Sequence, residues 1–310
     1  MDMQGSELNG ESEETRELVK SAFLLARSLG IATLLVQGDE LANVRLIAGL
    51  RQTERVIWIA RNRTEVPISD PARDVILVMP DAALNRLSQL NLSLFLAALN
   101  RLVGPDERVL GLSGVTGSQR LDTLVIARPV KDFPWLQRNE GATAITGHVA
   151  RLLEIALQLA RQGREGSPIG TIWVLGDLNE LSPYLRQLIL NPLKGHPPDV
   201  RSIYHPDLLE TLRELAAMDG AFIVDRSGIV ESAATYLDAP IGNVRLSPGL
   251  GARHAAALAI TTVTRATAVV ISASSGTVSL YDQGETVLQL DSAHGFDLRS
   301  PCAPVPASAT

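Results

Sequence analysis

Three short segments in the second half of this sequence combine charged and hydroxyl side chains with glycines. They span residues 219–221, 251–254 and 272–276, and each lies beside a short apolar run. Among them they supply a carboxylate, a guanidinium, an imidazole and backbone N–H donors. These groups bind and orient phosphates and divalent cations, so the three segments predict a site for nucleotide phosphate chemistry.

The first segment is Asp219-Gly220-Ala221, where a helical pattern gives way to a strand. A carboxylate at this junction can orient a sugar hydroxyl or help to hold a divalent cation. The small residues Gly220 and Ala221 let a ligand or another backbone approach closely. By itself, however, the Asp-Gly dipeptide is more typical of an ordinary turn.

The second segment, Gly251-Ala252-Arg253-His254, begins an alanine-rich pattern that favours a helix. A glycine before a helix leaves its first N–H groups open, and the helix dipole attracts phosphate. Arg253 can bind phosphate oxygens through its planar guanidinium, and a neutral His254 can bind a metal. The alternative is a plain glycine turn with a solvated arginine and a structural histidine.

The third segment follows a buried apolar run at residues 268–271. Ser272, Ser274 and Gly276 offer hydroxyls and backbone donors at the carboxyl end of a strand, where α/β sheets commonly bind ligands. A β-turn explains this segment equally well in isolation. Only the combination of the three segments favours a nucleotide site.

Composition restricts the partners of the chain. The 310 residues are 45% hydrophobic and carry a formal net charge of −6, with a pI near 5.5. This balance argues against a nucleic-acid polymer as partner, because such binding needs a basic surface. The single cysteine, Cys302, excludes an intrachain disulfide, and no apolar run has the length of a membrane span. We expect a soluble, cytoplasmic protein without a membrane partner.

The first half of the chain predicts an α/β domain at residues 15–132, after a flexible N-terminus at residues 1–14. Short β-rich runs alternate with helical patterns, which favours crossover connections and a mostly parallel sheet. The predicted strands are 32–36, 56–60, 75–79 and 109–112, and the predicted helices are 14–29, 40–50 and 84–102.

A second α/β domain, with a mixed sheet, is predicted at residues 136–291, followed by a flexible tail at 292–310. Turn signals between its apolar runs indicate hairpins as well as crossovers. The predicted helices are 143–162, 181–190 and 208–217, and the predicted strands are 171–175, 221–224, 229–233, 268–272, 277–281 and 285–290.

The Asp-Gly-Ala and Arg-His segments closely resemble the signature motifs of the diadenylate cyclase domain. A β-rich stretch containing Tyr236-Leu237 separates them, and the Ser272 turn adds to the match. This resemblance covers about the second half of the chain. The first half resembles the C-terminal domain of pyruvate kinase, which precedes the cyclase domain in an archaeal-type branch of the family.

The resemblance implies condensation of two ATP molecules into cyclic di-AMP with release of two pyrophosphates, dependent on Mn2+ or Mg2+. Asp219 and His254 are the implied catalytic and metal-binding residues: Asp219 would activate or orient the 3′-hydroxyl with help from the metal, and His254 would hold the metal. The implied nucleotide-binding residues are Gly220, Ala221, Tyr236, Leu237, Gly251, Ala252, Arg253, Ser272, Ser274 and Gly276. Two such domains would meet face to face, so the resemblance implies a homodimer or a higher oligomer.

This sequence departs from the commoner bacterial motif at several positions. Ala252 stands in place of a threonine, Ala255 in place of a second arginine, and Ala273 and Ser274 where glutamates often follow the serine. A non-catalytic sensor of adenine nucleotides is therefore the alternative function. A dehydrogenase built on the first half is disfavoured because the glycine fingerprint of a dinucleotide site is absent.

Overall fold

The computed structural model describes most of the chain. The described residues are 12–42, 44–62, 70, 73–82, 84–135, 143–163, 169–240 and 251–291. The predicted flexible tail at 292–310, and all but the last three residues of the predicted flexible N-terminus, lie outside them.

The first sheet has five strands in the order β3-β2-β1-β4-β5. Its first four strands in this order are parallel, and β5 is antiparallel to β4. The mostly parallel α/β fold predicted for this half is confirmed, although the edge strand β5 was not predicted. The strands are β1 Thr33–Gln37, β2 Arg55–Ala60, β3 Val75–Val78, β4 Val109–Ser113 and β5 Thr123–Ala127.

The helices of this half are α1 Glu13–Leu29, α2 Arg45–Leu50, α3 Arg86–Leu99 and α4 Pro129–Asp132. The Ser12 side chain caps α1 by accepting a hydrogen bond from Thr15 N, and Gly30 ends it with a left-handed φ of 64°. Asn85 caps α3 in the same way, accepting from Ser88 N at 2.8 Å.

The second sheet has seven strands in the order β12-β11-β10-β6-β8-β9-β7, and only β6 and β8 are parallel neighbours. The mixed sheet predicted for this half is confirmed. The strands are β6 Thr171–Leu175, β7 Leu185–Gln187, β8 Ala221–Val224, β9 Val230–Leu237, β10 Thr267–Ile271, β11 Val278–Asp282 and β12 Glu285–Leu290. The helices are α5 Thr143–Gln162, α6 Leu178–Leu181, α7 Leu208–Leu215 and α8 Ala252–Val263.

The helix predicted at residues 181–190 is wrong. α6 ends at Leu181, a 3-10 turn that includes Pro183 follows, and β7 then pairs antiparallel with β9. The apolar spacing suggested a buried helical face, but Leu190 is 95% exposed. Pro183 interrupts the helical pattern, and residues 185–187 then pair with the edge of β9. Pairing with a neighbouring strand overrides a local helical pattern.

The cores of the two halves are continuous. α3 packs against β4 of the first sheet and also against β12 of the second. One buried cluster accordingly contains Phe95 of α3 together with Leu288 of β12 and Trp173 of β6. In the described part of the chain, no helix is long and apolar enough to cross a bilayer.

Candidate functional site

The three predicted segments meet at one end of the second sheet. β6 and β8 both begin at this end, where Ile172 pairs with Ala221. β10 is antiparallel to β6 and ends there, since Ile271 pairs with Thr171. Asp219 and Ser272 therefore lie at the same edge, separated by two strand spacings or about 10 Å. This distance is short enough for one nucleotide to reach both.

This edge differs from the usual ligand-binding edge of an α/β sheet. Ser272 does follow the carboxyl end of its own strand, β10, but the parallel strands β6 and β8 begin at this edge rather than end there. The site thus lies opposite the carboxyl ends of the parallel pair. The reason is that β10 runs antiparallel to β6, which the sequence pattern does not reveal.

Gly220 makes a backbone conformation that other residues rarely adopt. Its φ is +109°, and a Cβ atom placed on it would lie 2.6 Å from the carbonyl carbon of Ala234. This tight crossing of β8 and β9 turns the chain so that the Asp219 side chain is 93% exposed. The carboxylate is consequently available to a ligand.

α8 begins at the same edge with its first N–H groups uncapped by any side chain. Gly251 is the N-cap residue, with an extended backbone at φ −78° and ψ 178°. Residues 247–250, which precede it, lie outside the described residues. Arg253 in the first turn lies 3.6 Å from Asp219, measured from Nη2 to Oδ1. This carboxylate offsets the unfavourable position of a cation at a helix N-terminus.

His254 is buried, with 5% of its surface exposed. Its Nδ1 lies 2.7 Å from the hydroxyl of Tyr281 on β11, so only Nε2 is left to bind a metal. Burial lowers the pKa of His254 below its ordinary value of 6.5, which favours the neutral imidazole at pH 7. Burial likewise raises the pKa of Tyr281.

Residues 272–277, here called the serine turn, connect β10 to β11. Gly276 N donates to Ser272 O at 2.9 Å, and Gly276 has a left-handed φ of 67°. The Ser272 and Ser274 hydroxyls lie 3.1 Å apart, and Ser274 is exposed while Ser272 is half-buried. Beside the turn, a Cβ atom on Gly170 would lie 2.6 Å from Cβ of Ala273. The start of β6 is therefore packed directly against the turn.

Tyr236 and Leu237 end β9 at the same edge, but their side chains face opposite sides of the sheet because successive strand residues alternate. Leu237 is 6% exposed and packs in a cluster with Leu258 of α8. Tyr236 is 51% exposed on the other face. The two side chains thus offer different surfaces to a ligand.

The structure accordingly brings the predicted site residues to one edge, with Asp219 and Arg253 in direct contact. Among the described residues, no group of three or more His, Cys, Asp or Glu side chains is arranged to hold a metal. Sequence reasoning missed Gly170, Tyr281 and Thr277. Gly170 had a signal, a glycine just before a buried strand, whereas the other two depend on contacts across the sheet.

This sheet edge joins glycine turns, an open helix N-terminus, a carboxylate and an arginine, which are groups that bind phosphate-bearing ligands in α/β domains. Residues 158–286 match the DAC family model, described as DisA bacterial checkpoint controller nucleotide-binding. This part of the chain is similar to that family, and the match confirms the resemblance seen in the sequence. The match covers less than half of the chain.

Two curated relatives are named diadenylate cyclase. The protein from Methanocaldococcus jannaschii is 40% identical over 140 residues, which cover 45% of this chain and 44% of the relative. The protein from Haloferax volcanii is 36% identical over 146 residues, which cover 47% of this chain and 53% of the relative. The chain thus spans about half the length of the curated relatives that it matches.

The solved structures are less similar to this chain than the curated relatives are. DacA from Staphylococcus aureus, solved as a double mutant, is 22% identical, covers 47% of this chain and 86% of its own, and has a TM-score of 0.33. A pyruvate kinase from Cryptosporidium parvum is 16% identical, covers 37% of this chain and 22% of its own, and has a TM-score of 0.29. Scores this low support no inference about function, and the resemblance of the first half to pyruvate kinase stays a prediction.

Proposed function

We propose that the protein is a nucleotidyltransferase of the diadenylate cyclase type, which joins two ATP molecules into cyclic di-AMP and releases two pyrophosphates. One observation carries the proposal. The start of β8, the start of α8 and the end of β10 meet at one sheet edge, within the segment that matches the DAC family model. The cytoplasm, which supplies ATP and keeps Cys302 reduced, is part of the proposal.

The reaction occurs twice for each product. The 3′-hydroxyl of one ATP attacks the α-phosphorus of the other, a new P–O bond forms, and the bond to the β-phosphate oxygen breaks. The hydroxyl releases its proton to solvent water, and pyrophosphate leaves with the electron pair of the broken bond. Since the exposed Asp219 carboxylate can accept a hydrogen bond from the hydroxyl, we assign it the role of orienting this nucleophile.

The phosphates require positive groups and hydrogen-bond donors. Arg253 is 37% exposed and lies beside Asp219, so its guanidinium can bind phosphate oxygens. The open N–H groups of α8 and the hydroxyls of Ser272 and Ser274 supply further donors. These groups hold the triphosphate in line with the attacking hydroxyl. Gly220 and Ala221 leave room for the nucleotide to approach β8.

A divalent cation, Mn2+ or Mg2+, fits the donor set at this edge. The Asp219 carboxylate and the Nε2 atom of a neutral His254 would be two protein ligands, and the phosphates of ATP would supply the others. When bound, such a cation stabilises the negative charge that develops on the phosphate oxygens.

Each domain offers one ATP site, whereas the product needs two ATP molecules facing each other. We therefore propose that two copies of the chain meet around a two-fold axis, with both copies of this edge at the contact. A homodimer or a higher oligomer is accordingly part of the mechanism.

The test is incubation of the purified chain with ATP and Mn2+ or Mg2+, followed by mass spectrometry for cyclic di-AMP. We expect the product with wild-type protein and its loss with Asp219→Ala. Asp199→Ala, which changes an exposed aspartate outside the site, is the matched control. ATP binding without any product would contradict the proposal and favour the nucleotide sensor.

A further inference from the structure

A continuous path of hydrogen bonds joins the serine turn of the second sheet to helix α3 of the first half. Asp291, the residue after β12, lies at the centre of this path. Neither the DAC family motifs nor the proposed mechanism assigns it a role. Its contacts involve its backbone on one side and its carboxylate on the other.

The backbone of Asp291 binds the N-terminus of α3. Its N–H donates to the Ser88 hydroxyl at 2.8 Å, and its carbonyl accepts from Asn85 N at 3.1 Å. Asn85 is also the N-cap residue of α3, and Ser88 is only 4% exposed. Asp291 is therefore fixed to the first turn of a packed helix.

The side chain of Asp291 binds the serine turn. Its Oδ1 accepts from the Thr277 hydroxyl at 3.0 Å, and also from Gln289 Nε2 at 3.2 Å. The Thr277 hydroxyl in turn accepts from the Ser275 hydroxyl at 2.9 Å. The carbonyl of Thr277 accepts from Ser272 N at 2.9 Å. Thr277 thus binds the start of the turn through its carbonyl, and it binds Ser275 and Asp291 through its hydroxyl.

We infer that Thr277 and Asp291 are positioning residues, which hold the serine turn in place for the nucleotide by tying it to α3. The inference rests on the proposed function, because it assumes that the turn contacts the triphosphate. The serines lie in a loop, with Ser274 exposed and Ser272 half-buried, and β6 packs against the turn at Ala273 rather than at the serine hydroxyls. Hydrogen bonds through Thr277 and Asp291 restrain the turn. They connect it to α3, which belongs to the first half of the chain.

Thr277→Val removes the hydroxyl while keeping the shape of the side chain, whereas Thr277→Ser keeps the hydroxyl. Because one net hydrogen bond is lost, we expect Thr277→Val to raise the KM for ATP about fivefold. The kcat should stay within about twofold of wild type, because no group at the reacting atoms is lost. Thr277→Ser and Asp291→Asn keep donor and acceptor and should restore the wild-type KM.

Hydrogen exchange measured by mass spectrometry gives a readout that does not depend on turnover. Thr277→Val should speed amide exchange in residues 272–277 about fivefold, since the turn opens more often. Ser88→Ala, in the first half, should change exchange in the same direction. Ser28→Ala, which removes an exposed hydroxyl on α1, is the control. It should change neither the KM for ATP nor amide exchange in residues 272–277.

The outcomes separate this inference from the proposed function. Wild-type protein that forms no cyclic di-AMP would defeat the proposed function, and exchange alone would then decide whether the path holds the turn. The inference is overturned if exchange at residues 272–277 is unchanged in Thr277→Val or in Ser88→Ala. In an active enzyme, faster exchange with an unchanged KM would also overturn it.

Discussion

At the scale of single residues, two side chains at the site have opposite surroundings. Asp219 is 93% exposed and close to one arginine, while His254 is 5% exposed and bonded to Tyr281. The exposed carboxylate contributes little to folding and is available to a ligand. The buried imidazole is part of the core as well as a candidate metal ligand, so its substitution affects stability and activity together.

Asp219→Asn should lower cyclic di-AMP formation by about 10²–10⁴-fold, the usual contribution of a group that positions or accepts a proton. The free energy of unfolding should change by less than about 0.5 kcal/mol, as for surface substitutions. Product formation is measured by mass spectrometry and stability by urea denaturation. Activity within threefold of wild type would remove Asp219 from the mechanism.

Stability should depend on pH through His254. Its pKa is lowered in the folded state from the ordinary 6.5, so the unfolded chain binds a proton more readily. The stabilisation is complete above about pH 6.5 and declines as the pH falls from there towards the folded-state pKa. We expect the Tm of wild type to fall more between pH 7.5 and 5.5 than that of His254→Gln.

His196→Gln is the control for this measurement, because His196 is exposed and lies away from the predicted site. Its Tm should follow wild type at every pH. Identical pH dependences for wild type and His254→Gln would show that burial does not shift the titration of His254.

At the scale of elements, glycines set how closely the strands and turns of the site approach each other. Gly220 lets β8 cross β9, and Gly170 lets β6 contact the serine turn. Gly251 differs from both, since a Cβ atom placed there has no neighbour within 4 Å. The three glycines look alike in the sequence, and only their surroundings distinguish them.

Gly220→Ala should destabilise the fold by about 1–3 kcal/mol, because alanine is strained at positive φ and its Cβ meets the backbone of Ala234. Gly251→Ala should cost about 1 kcal/mol or less, the range for an alanine at an N-cap. Urea denaturation of both variants tests the comparison. Equal losses of stability would show that the crossing at Gly220 relaxes to accept a side chain.

At the scale of the whole molecule, the proposed reaction needs two copies of the site edge. Product formation per chain should rise with protein concentration through the range in which the dimer forms, because a lone domain holds only half of the reacting groups. Analytical ultracentrifugation defines that range, and initial rates measured across it give the comparison. A rate per chain that stays constant while the protein is monomeric would contradict the dimeric mechanism.

Much of the fold is predictable from the sequence because apolar residues repeat with the periods of strands and helices. The runs that form β1, β2, β6, β8 and β10 are buried and continuous, and they were predicted to within one or two residues. β7 was predicted as a helix, since its state depends on pairing with β9 rather than on its own pattern. The edge strand β5, which is mostly half-buried, was not predicted for the same reason.

By itself, the sequence determined which chemical groups are present: the Asp219 carboxylate, the Arg253 guanidinium, the His254 imidazole and the serine turn. It also determined the α/β class, because periodic burial is a local property. Only the tertiary structure decided that β10 runs antiparallel to β6, which brings Ser272 to the edge where β8 begins. It also decided that His254 meets Tyr281 and that Asp291 joins α3 to Thr277. Such contacts join residues far apart in the chain, so no local pattern encodes them.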